Sequence, residues 1–378
     1  MFDKVLTRRG GERSVQVMGA GSDDVEEGRS YLSSLGPYAV PTWPEEYGGL
    51  AADAEQAAVI AEELRNYRSP DLYPFMVGIA LVAPTLLTHG TPEQLQRWLP
   101  PMATGTEIWC QLFSEPGAGS DLAGLTCRAE RDGDLWRVTG QKVWSSRAHY
   151  SRWGLLLART NWDVPKHAGI TCFGIDMEAP GVEVRPLRQM NGDTHFNEVF
   201  LDEAPVEDVN RIGDVDGGWR VAMTTLMHER ASIGGNSGGG IGKDQLIATV
   251  AKWGGSNDPV TRQRLAAIVG ELEVGRQTGL RARAAAESGK PPGPEGSGGK
   301  LRMSAALKAI SNLALDVQGP RGVVGEGEWH TLFLTGPSFS IRGGTDEVQR
   351  NILGERVLGL PPEPRPDKDV AFRDVPKN

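Results

Sequence analysis

Two short stretches combine residue types that could bind a flat polar ligand, and the first is "CQLFSEPGAGSDLAG". Its Pro116, Gly117 and Gly119 force a tight backbone path that leaves amide N–H groups unpaired, and small side chains let a ligand approach the main chain. Ser114 and Ser120 can add hydroxyl groups to such a contact. We expect this loop to seat a flat polar ring or a phosphate; the alternative is an ordinary glycine-rich turn.

The second stretch is "GQKVWSSRAHYSRWGLLLART", in which Trp144 stands among polar residues at the end of a predicted strand. An aromatic side chain in that place can stack on a cofactor ring, while Ser145 and Ser146 hydrogen-bond the edge of the ring. The alternative is a core tryptophan with two capping serines.

Hydrophobic periodicity divides the chain that carries these stretches into helical and β-rich regions. In the first region, "AADAEQAAVIAEELRNY" repeats apolar residues at helical steps and "THGTPEQLQRWLPPMATG" opens with a capping box. Runs such as "DLWRVTGQKVW", "RWGLLLART", "GITCFGIDM", "GVEVRPLR" and "FNEVFLDEAPV" then predict half-buried antiparallel strands. From Gly217 the helical period returns in four segments that are typical of a bundle.

This order of elements predicts an α+β fold. We expect an N-terminal helical domain over residues 1–108, a small central β domain over 109–213 and a C-terminal bundle over 214–360. The proline- and charge-rich end, 361–378, is predicted to be poorly ordered. The most apolar run, residues 72–87, is too short for a membrane span and is interpreted as a buried core helix.

Bulk composition narrows the classes of function. The 378 residues are 39% hydrophobic and 24% charged, with a formal net charge of -9, which argues against nucleic acid as a partner. Scattered Lys and Arg give no polybasic membrane patch. The 3 cysteines form no CxxC pair, and the 6 histidines show no metal-ligand spacing. With no apolar signal core in "MFDKVLTRRGGERS", we expect a cytoplasmic protein.

Taken together, the chain resembles the acyl-CoA dehydrogenase family. The similarity lies in "SEPGAGSDLAGL", "VTGQKVWSS", "GGWRVAMTTLMHER", "LALDVQGPRGVVG" and "GGTDEVQRNILGERVLGLP", in the order and spacing of that family. The resemblance implies an N-terminal helical domain, a barrel- or sandwich-like antiparallel β domain and a four-helix bundle. It also implies that FAD lies between the last two and that an acyl-CoA thioester is desaturated between Cα and Cβ.

The resemblance implies roles for residues of the β domain, residue by residue. Ser114 would hydrogen-bond the edge of the flavin ring, and Ser120 would lie near the pantetheine of CoA. Trp144 and Ser146 would cover the isoalloxazine face that the substrate does not use. Further positions that would line FAD are Gln111, Phe113 and Gly119.

Residues of the bundle receive roles in the same way. Thr345 and Glu347 would contact the adenine-side pyrophosphate and ribose, and Gln318 and Gly322 would contact the FAD of a neighbouring subunit. The implied substrate-binding residues are Ser120, Arg230, which would contact the CoA portion, and Gly344.

The family's reaction needs a carboxylate that removes the α-proton while hydride leaves Cβ for flavin N5. Hydrogen bonds to the thioester carbonyl and burial of the base must overcome the weak acidity of that proton. In many members the carboxylate occupies the position where Gly343 stands here. In isovaleryl-type and steroid side-chain members the base lies on a bundle helix instead. Here the corresponding acid–Arg pair is Glu229 and Arg230, and Gly343 and Gly344 would leave room for Glu229.

Helical spacing is consistent with Glu229 as the base. Ala222, Thr225, Leu226 and Ile233 lie three, four or seven residues away and share its helix face. A carboxylate on an apolar face is desolvated, which raises its pKa toward the range of a general base. The alternative is a surface glutamate in a helix salt bridge.

Two departures from the family pattern bear on assembly. The family's Arg-x-x-Phe-type segment, whose Arg reaches a neighbour's FAD pyrophosphate, is missing from "AKWGGSNDPVTRQRLA", where Lys252 and Arg262 are the candidate substitutes. The first family helix looks truncated or replaced by "MFDKVLTRRGGERSVQVMG". A homotetramer is the simpler expectation, and an α2β2 heterotetramer with a related subunit is the alternative.

Three functions are compatible with the sequence. The leading hypothesis is an FAD-dependent acyl-CoA dehydrogenase that passes electrons to an electron-transfer flavoprotein. The second is an oxidase or monooxygenase of the same fold that reacts with oxygen. The third is a non-catalytic or half-site subunit of a heterotetramer. The acyl group is left open.

Overall fold

The computed structural model describes residues 2–9, 24–235, 243–288 and 293–376. The chain forms two compact units, which we call the sheet unit and the helical unit. The sheet unit comprises Met1–Gly10, Ser22–His228 and Pro364–Asn378, and the helical unit comprises Gly11–Gly21 and Glu229–Glu363. The predicted boundaries of three domains stay predictions. Much of the segment predicted to replace the first family helix lies outside the described residues.

Five α-helices precede the sheet in the part of the chain that the structure describes, and local capping explains where several of them begin and end. They are α1 (Val25–Leu35), α2 (Ala54–Leu64), α3 (Tyr73–Met76), α4 (Ala83–His89) and α5 (Pro92–Ala103). Gly36 ends α1 with a φ of 55°, a conformation that glycine adopts without strain. Thr91 and Gln94 form the capping box of α5 that the sequence predicts.

The apolar run over residues 72–87 is helical and largely buried, as predicted. Its path is not a uniform α-helix, because a π-helical segment, Val77–Val82, connects α3 to α4. Phe75, Val82 and Leu86 are at most 2% exposed. Within the described ranges, no helix combines the length and the apolar character that crossing a membrane requires.

One eight-stranded sheet forms the centre of the sheet unit. Its strands are β1 (Trp109–Leu112), β2 (Arg128–Asp132), β3 (Leu135–Ser146), β4 (Trp153–Arg159), β5 (Ile170–Asp176), β6 (Val182–Leu187), β7 (Phe196–Glu207) and β8 (Arg211–Ile212). The spatial order is β6-β7-β3-β2-β4-β5-β8, with β1 paired to β4. All five predicted strands are present. The sheet is not purely antiparallel, since β1 and β2 each pair with β4 in parallel.

Burial on both faces explains why β4 has a continuous apolar sequence. Leu155 and Leu157 pack in the cluster that contains residues of α5, whereas Leu156 and Ala158 pack in a second cluster with β3 and β7. Alternate side chains of one strand point to opposite faces, so the strand joins two apolar layers.

The next helix, α6 (Gly218–Gly235), begins against this core. Val221 and Ala222 are fully buried in the cluster that also contains Leu155. Since the second segment of the sheet unit, Ser22–His228, ends within α6, the first eleven residues of this helix belong to the sheet unit and the rest belong to the helical unit.

In its described residues, the helical unit contains six further α-helices. They are α7 (Lys243–Lys252), α8 (Pro259–Glu287), α9 (Gly296–Asp316), α10 (Pro320–Val324), α11 (Glu328–Thr335) and α12 (Asp346–Arg356). Leu246, Ile310, Leu313 and Leu332 are at most 1% exposed and form the core of this unit. The sequence predicts α6, α8, α9 and α12, while α7, α10 and α11 are additional.

The C-terminal end corrects one prediction. Residues 361–378 are predicted to be poorly ordered, yet Phe372 is 5% exposed and its amide donates to the carbonyl of Val164 at 2.9 Å. The amide of Arg373 donates to the carbonyl of Trp162 at 3.0 Å. A buried aromatic residue therefore orders this part of an otherwise polar segment.

Candidate functional site

The glycine-containing loop after β1 forms an open, tight turn. Glu115 and Ala118 exchange two backbone hydrogen bonds of 3.0 Å each, which close the turn. Gly117 and Gly119 are exposed, and a Cβ atom added to either would meet no atom within 4 Å. Ser120 is also exposed. The loop therefore presents main chain without side-chain cover, as contact with a flat ligand requires.

A buried ion pair holds the two ends of this loop in place. The Glu115 carboxylate lies 2.8 Å from Lys142 Nζ and accepts from the amides of Thr126 and Cys127 at 2.7 and 2.9 Å. Lys142 is fully buried and also donates to the carbonyl of Phe113 at 3.1 Å. Burial favours a higher pKa for Glu115, but Lys142 and the two amides hold that pKa below its usual value. Glu115 and Lys142 are thus positioning residues that the sequence analysis missed, although both lie inside the motifs that it quotes.

Trp144 lies beside the loop and faces solvent. Its side chain is 60% exposed, and its φ of 60° is unusual for a residue other than glycine. The pairing of β3 with β7 shifts register between Lys142 and Ser145, which places Trp144 on a bulge. The amide of Val143 donates to the carbonyl of Ser114 at 2.9 Å and joins bulge and loop. The alternative of a core tryptophan is therefore wrong.

The serines after Trp144 point to different environments. Ser146 is half-buried, whereas Ser145 is fully buried and its carbonyl accepts from Asn197 Nδ2 at 3.0 Å. Ser145 is thus unable to reach the edge of a ring at the surface. Among the other predicted FAD-lining residues, Gln111 and Ser114 are half-buried and Phe113 is buried.

The predicted base lies on α6, one turn beyond a hydrogen-bonded pair of threonines. Thr225 Oγ1 lies 2.9 Å from Thr85 Oγ1, and both side chains are fully buried. Glu229 itself is half-buried, so its carboxylate is only partly desolvated. The side chains of Arg230 and Ile233 lie outside the described residues. The role of Glu229 stays a prediction.

In the helical unit, the double glycine before α12 adopts a conformation that other residues resist. Gly343 and Gly344 have φ values of 66° and 82°. Gln349 Nε2 donates to the carbonyl of Gly343 at 2.9 Å, and a Cβ atom on Gly344 would lie 2.5 Å from that nitrogen. The Thr345 hydroxyl accepts from the amide of Val348 at 3.2 Å and caps the helix. Backbone geometry thus requires glycine here, whether or not a base acts nearby.

The remaining predicted FAD contacts lie on other helices of this unit. Glu347 is exposed and lies 3.6 Å from Arg350. Gln318 Nε2 donates to the carbonyl of Ala314 at 2.8 Å. Gly322 lines a cavity of about 630 Å³, and a Cβ atom on it would lie 2.2 Å from the carbonyl oxygen of Leu315. Across the described ranges, no three His, Cys, Asp or Glu side chains form a possible metal site.

Three family models match consecutive parts of the chain. They are the N-terminal domain of acyl-CoA dehydrogenase over residues 31–106, the middle domain over 110–204 and the C-terminal domain over 216–358. The chain belongs to the acyl-CoA dehydrogenase family. This confirms the predicted family, its α+β fold and the enzyme class at the level of the family. Members are FAD flavoproteins and oxidoreductases of lipid metabolism.

Curated relatives support the same family. The acyl-CoA dehydrogenase IpdE1 of Mycolicibacterium smegmatis is 38% identical over 337 residues, which cover 85% of this chain and 84% of the relative. The acyl-CoA dehydrogenase FadE34 of Mycobacterium tuberculosis is 42% identical over 323 residues, or 85% of this chain. The match covers 44% of FadE34, so this chain spans less than half the length of that relative.

Solved structures with this fold include two-component assemblies. The Tcur3481-Tcur3483 steroid ACAD superposes with a TM-score of 0.79 at 27% identity, over 89% of this chain and 90% of that one. The ChsE4-ChsE5 complex from Mycobacterium tuberculosis gives a TM-score of 0.70 at 26% identity, over 90% and 94% of the two chains.

Proposed function

We propose that this chain is an FAD-dependent acyl-CoA dehydrogenase that introduces a double bond between Cα and Cβ of an acyl-CoA thioester. The observation that supports this most directly is the exposed Trp144 on its bulge, beside the open loop that ends at Ser120. A large aromatic ring at 60% exposure in a left-handed conformation is costly, by about 1 to 3 kcal/mol for the backbone alone. Such strain is typical of a binding site.

The residues present fit a flavin. Gly117 and Gly119 leave space above the main chain, and Trp144 offers an uncovered ring face. In this proposal Ser114 and Ser146 hydrogen-bond the flavin. Further FAD contacts in the proposal are Gln111, Phe113, Gly119 and Ser120. Thr345 and Glu347 are assigned to the adenine-side pyrophosphate and ribose, and Gln318 and Gly322 to the FAD of a neighbouring subunit. Bound FAD would supply the acceptor for the hydride that leaves Cβ.

The chain's own contribution to the reaction is the transfer of a proton. We assign removal of the α-proton to the Glu229 carboxylate, whose half-buried position partly removes it from water and so strengthens it as a proton acceptor. The bonded pair Thr85 and Thr225 ties α6 to α4 one turn earlier, which fixes the helix that carries the base. Ser120, Arg230 and Gly344 would bind the substrate.

Replacing the base tests this assignment. Glu229→Gln keeps the shape of the side chain but removes the proton acceptor, so we expect FAD to stay bound and bleaching by acyl-CoA to fall by at least about 10³-fold. Glu62→Gln, on the exposed face of α2, is the matched control and should bleach like the wild type. Bleaching at the wild-type rate in Glu229→Gln would refute the assignment.

The substrate and the electron acceptor belong to the same proposal. A panel of straight-chain, branched and steroid side-chain acyl-CoA thioesters, scored by flavin bleaching, identifies the acyl group. Electron transfer to an electron-transfer flavoprotein is expected, with slow reoxidation of the reduced flavin in air. Rapid reoxidation by air would favour the oxidase hypothesis instead.

The two-component neighbours favour a second candidate, a half-site subunit of an α2β2 heterotetramer. The absence of the family's Arg-x-x-Phe-type segment from this sequence is the observation behind it. Purification of the chain alone separates the candidates. A yellow homotetramer that bleaches with acyl-CoA supports the complete enzyme, and a colourless, stable protein supports the half-site subunit.

A further inference from the structure

The C-terminal segment belongs to the sheet unit and packs beside residues 121–125. These residues directly follow Ser120, and we refer to residues 117–125 as the loop. We call residues 364–376 the C-terminal strap. Ala371 forms a β-bridge with Pro165, in the connection between β4 and β5. Phe372 is buried there, although most of the strap is exposed.

Phe372 covers a buried guanidinium that holds the loop. Arg159 is fully buried, and its Cζ lies 3.6 Å from the centroid of the Phe372 ring. Its nitrogens donate to the carbonyls of Leu125 at 3.1 Å, Ala123 at 2.7 Å and Lys166 at 3.0 Å. Burial lowers the pKa of Arg159 to about 10, so the side chain stays charged at neutral pH. Two of the carbonyls that compensate this charge belong to the loop.

A second cation connects strap and loop directly. Lys166 Nζ lies 2.9 Å from Asp121 and 2.8 Å from Asp367, and its side chain is 15% exposed. Asp121 follows Ser120 in the sequence, whereas Asp367 belongs to the strap. Burial favours a lower pKa for Lys166, but hydrogen bonds to the two aspartates raise it above its usual value. One ammonium group therefore bridges the strap to the residue next to Ser120.

Local turn bonds join residues of the loop to one another but do not attach it to the sheet. The amide of Gly124 donates to the carbonyl of Asp121 at 2.9 Å, and that of Leu125 to Leu122 at 3.1 Å. Among the described residues, Arg159 and Lys166 are the side chains that hydrogen-bond residues 121–125 from outside the loop, and the strap covers or pairs both. Glu115 holds the adjoining amides of Thr126 and Cys127.

We propose that the C-terminal strap positions the loop that carries Ser120, and that Arg159, Lys166 and Phe372 are positioning residues for binding of acyl-CoA. This proposal rests on the proposed function, in which Ser120 lies near the pantetheine. Because these residues act on substrate placement and do not touch the reacting atoms, their loss should weaken binding of the thioester more than it slows the chemical step.

The test uses the full chain and three changes: truncation after Glu363, Phe372→Ala and the milder Lys166→Met. Hydrogen exchange of peptides covering residues 117–126 is measured without flavin or acyl-CoA. We expect exchange there to rise by about tenfold or more, while β3 and β7 keep their protection. The control Arg185→Met removes an exposed cation of β6 and should leave the loop unchanged.

Enzyme kinetics and rescue complete the test. We expect KM for an active acyl-CoA to rise by about tenfold and kcat to change by less than about twofold. A synthetic peptide of residues 361–378, added to the truncated protein, should restore both loop protection and KM.

Two results would overturn the proposal: loop exchange at the wild-type rate in all three variants, or an equal rise across loop and strands, which indicates a general loss of packing. Because exchange requires neither cofactor nor substrate, a failure of the proposed function, seen as no bleaching with any acyl-CoA, is distinguishable from a failure of the strap.

Discussion

Two glycine pairs, one in each unit, look alike in sequence and differ in physical role. Gly117 and Gly119, in the loop after β1, have no positive φ and face open space. Gly343 and Gly344, before α12, both have positive φ, and the second has Gln349 against the position of a Cβ atom. The first pair leaves open space in which a ligand could bind. The second pair allows the positive φ values that the backbone adopts before α12.

The supports of the two glycine pairs differ as well. The first loop rests on a buried ion pair, Glu115 with Lys142, and so depends on charge. The second rests on the neutral amide of Gln349, which is 1% exposed and donates to the carbonyl of Gly343. The role of a glycine in a sequence motif therefore depends on its φ angle and on the atoms around it, which the motif alone does not give.

The largest expected effect comes from removing one partner of the ion pair. Glu115→Ala leaves the Lys142 ammonium buried without its carboxylate, so we expect the free energy of unfolding to fall by about 3 to 5 kcal/mol in urea titrations. The double variant Glu115→Leu with Lys142→Met should recover much of this loss, since no charge remains buried. A single variant as stable as the wild type would contradict the assigned support.

The same pair predicts a dependence of stability on pH. The pKa of Glu115 is lower in the folded chain, so the folded state binds the proton less strongly than the unfolded state does. Its stabilising contribution is complete above the unfolded pKa, about 4.3, and is lost as pH falls through the folded pKa. Thermal melts should therefore show a steeper decline below about pH 4 in the wild type than in the double variant. Parallel curves would argue against the pair as the source.

An intermediate effect is expected at the second glycine pair. Gly344→Ala forces a Cβ atom into a φ of 82° and against Gln349, and we expect a loss of about 1 to 2 kcal/mol in the free energy of unfolding. Gly354→Ala, inside α12 and without a positive φ, is the control and should be neutral or stabilising. Equal stability of the two variants would remove the distinction between the glycine pairs.

The smallest effect on stability is expected at the first pair. A Cβ atom on Gly119 meets nothing, so Gly119→Ala should change the free energy of unfolding by less than about 0.5 kcal/mol. Since the added methyl group points into the space proposed for the flavin, the dissociation constant of FAD should rise by about tenfold. Unchanged affinity, measured by fluorescence titration of the apoprotein, would show that this space is not used.

The helices and strands were predictable wherever a local sequence pattern, such as a capping box or a hydrophobic alternation, lies within the element itself. The capping box at Thr91 and the alternation along β3 depend on residues close in sequence, and both elements lie where predicted. β1 is only four residues long, and β2, "RAERD", is mostly charged with one buried alanine, Ala129. Neither has enough local pattern to be recognised, since each becomes a strand through its pairing with other strands.

The site was predictable as a set of motifs but not as a geometry. Trp144 was correctly singled out, while its left-handed backbone and exposure follow from a register shift between β3 and β7 that no local pattern encodes. The buried attachment of Glu115 to Lys142 joins residues 27 positions apart, so spacing alone gave no reason to pair them. Contacts between distant segments decided both.

The amino-acid sequence by itself determines the helices, most of the strands and the positions of glycines in loops. Capping, hydrophobic periodicity and φ preferences each depend on only a few neighbouring residues. The C-terminal segment is the clearest opposite case. Its composition is that of an unstructured tail, and Phe372 is buried because Arg159 lies beneath its ring and Trp162 packs beside it. Phe372 and Arg159 are 213 positions apart in sequence. Their contact stabilises the protein only after the sheet has formed and brought the two residues together, so local sequence does not predict it.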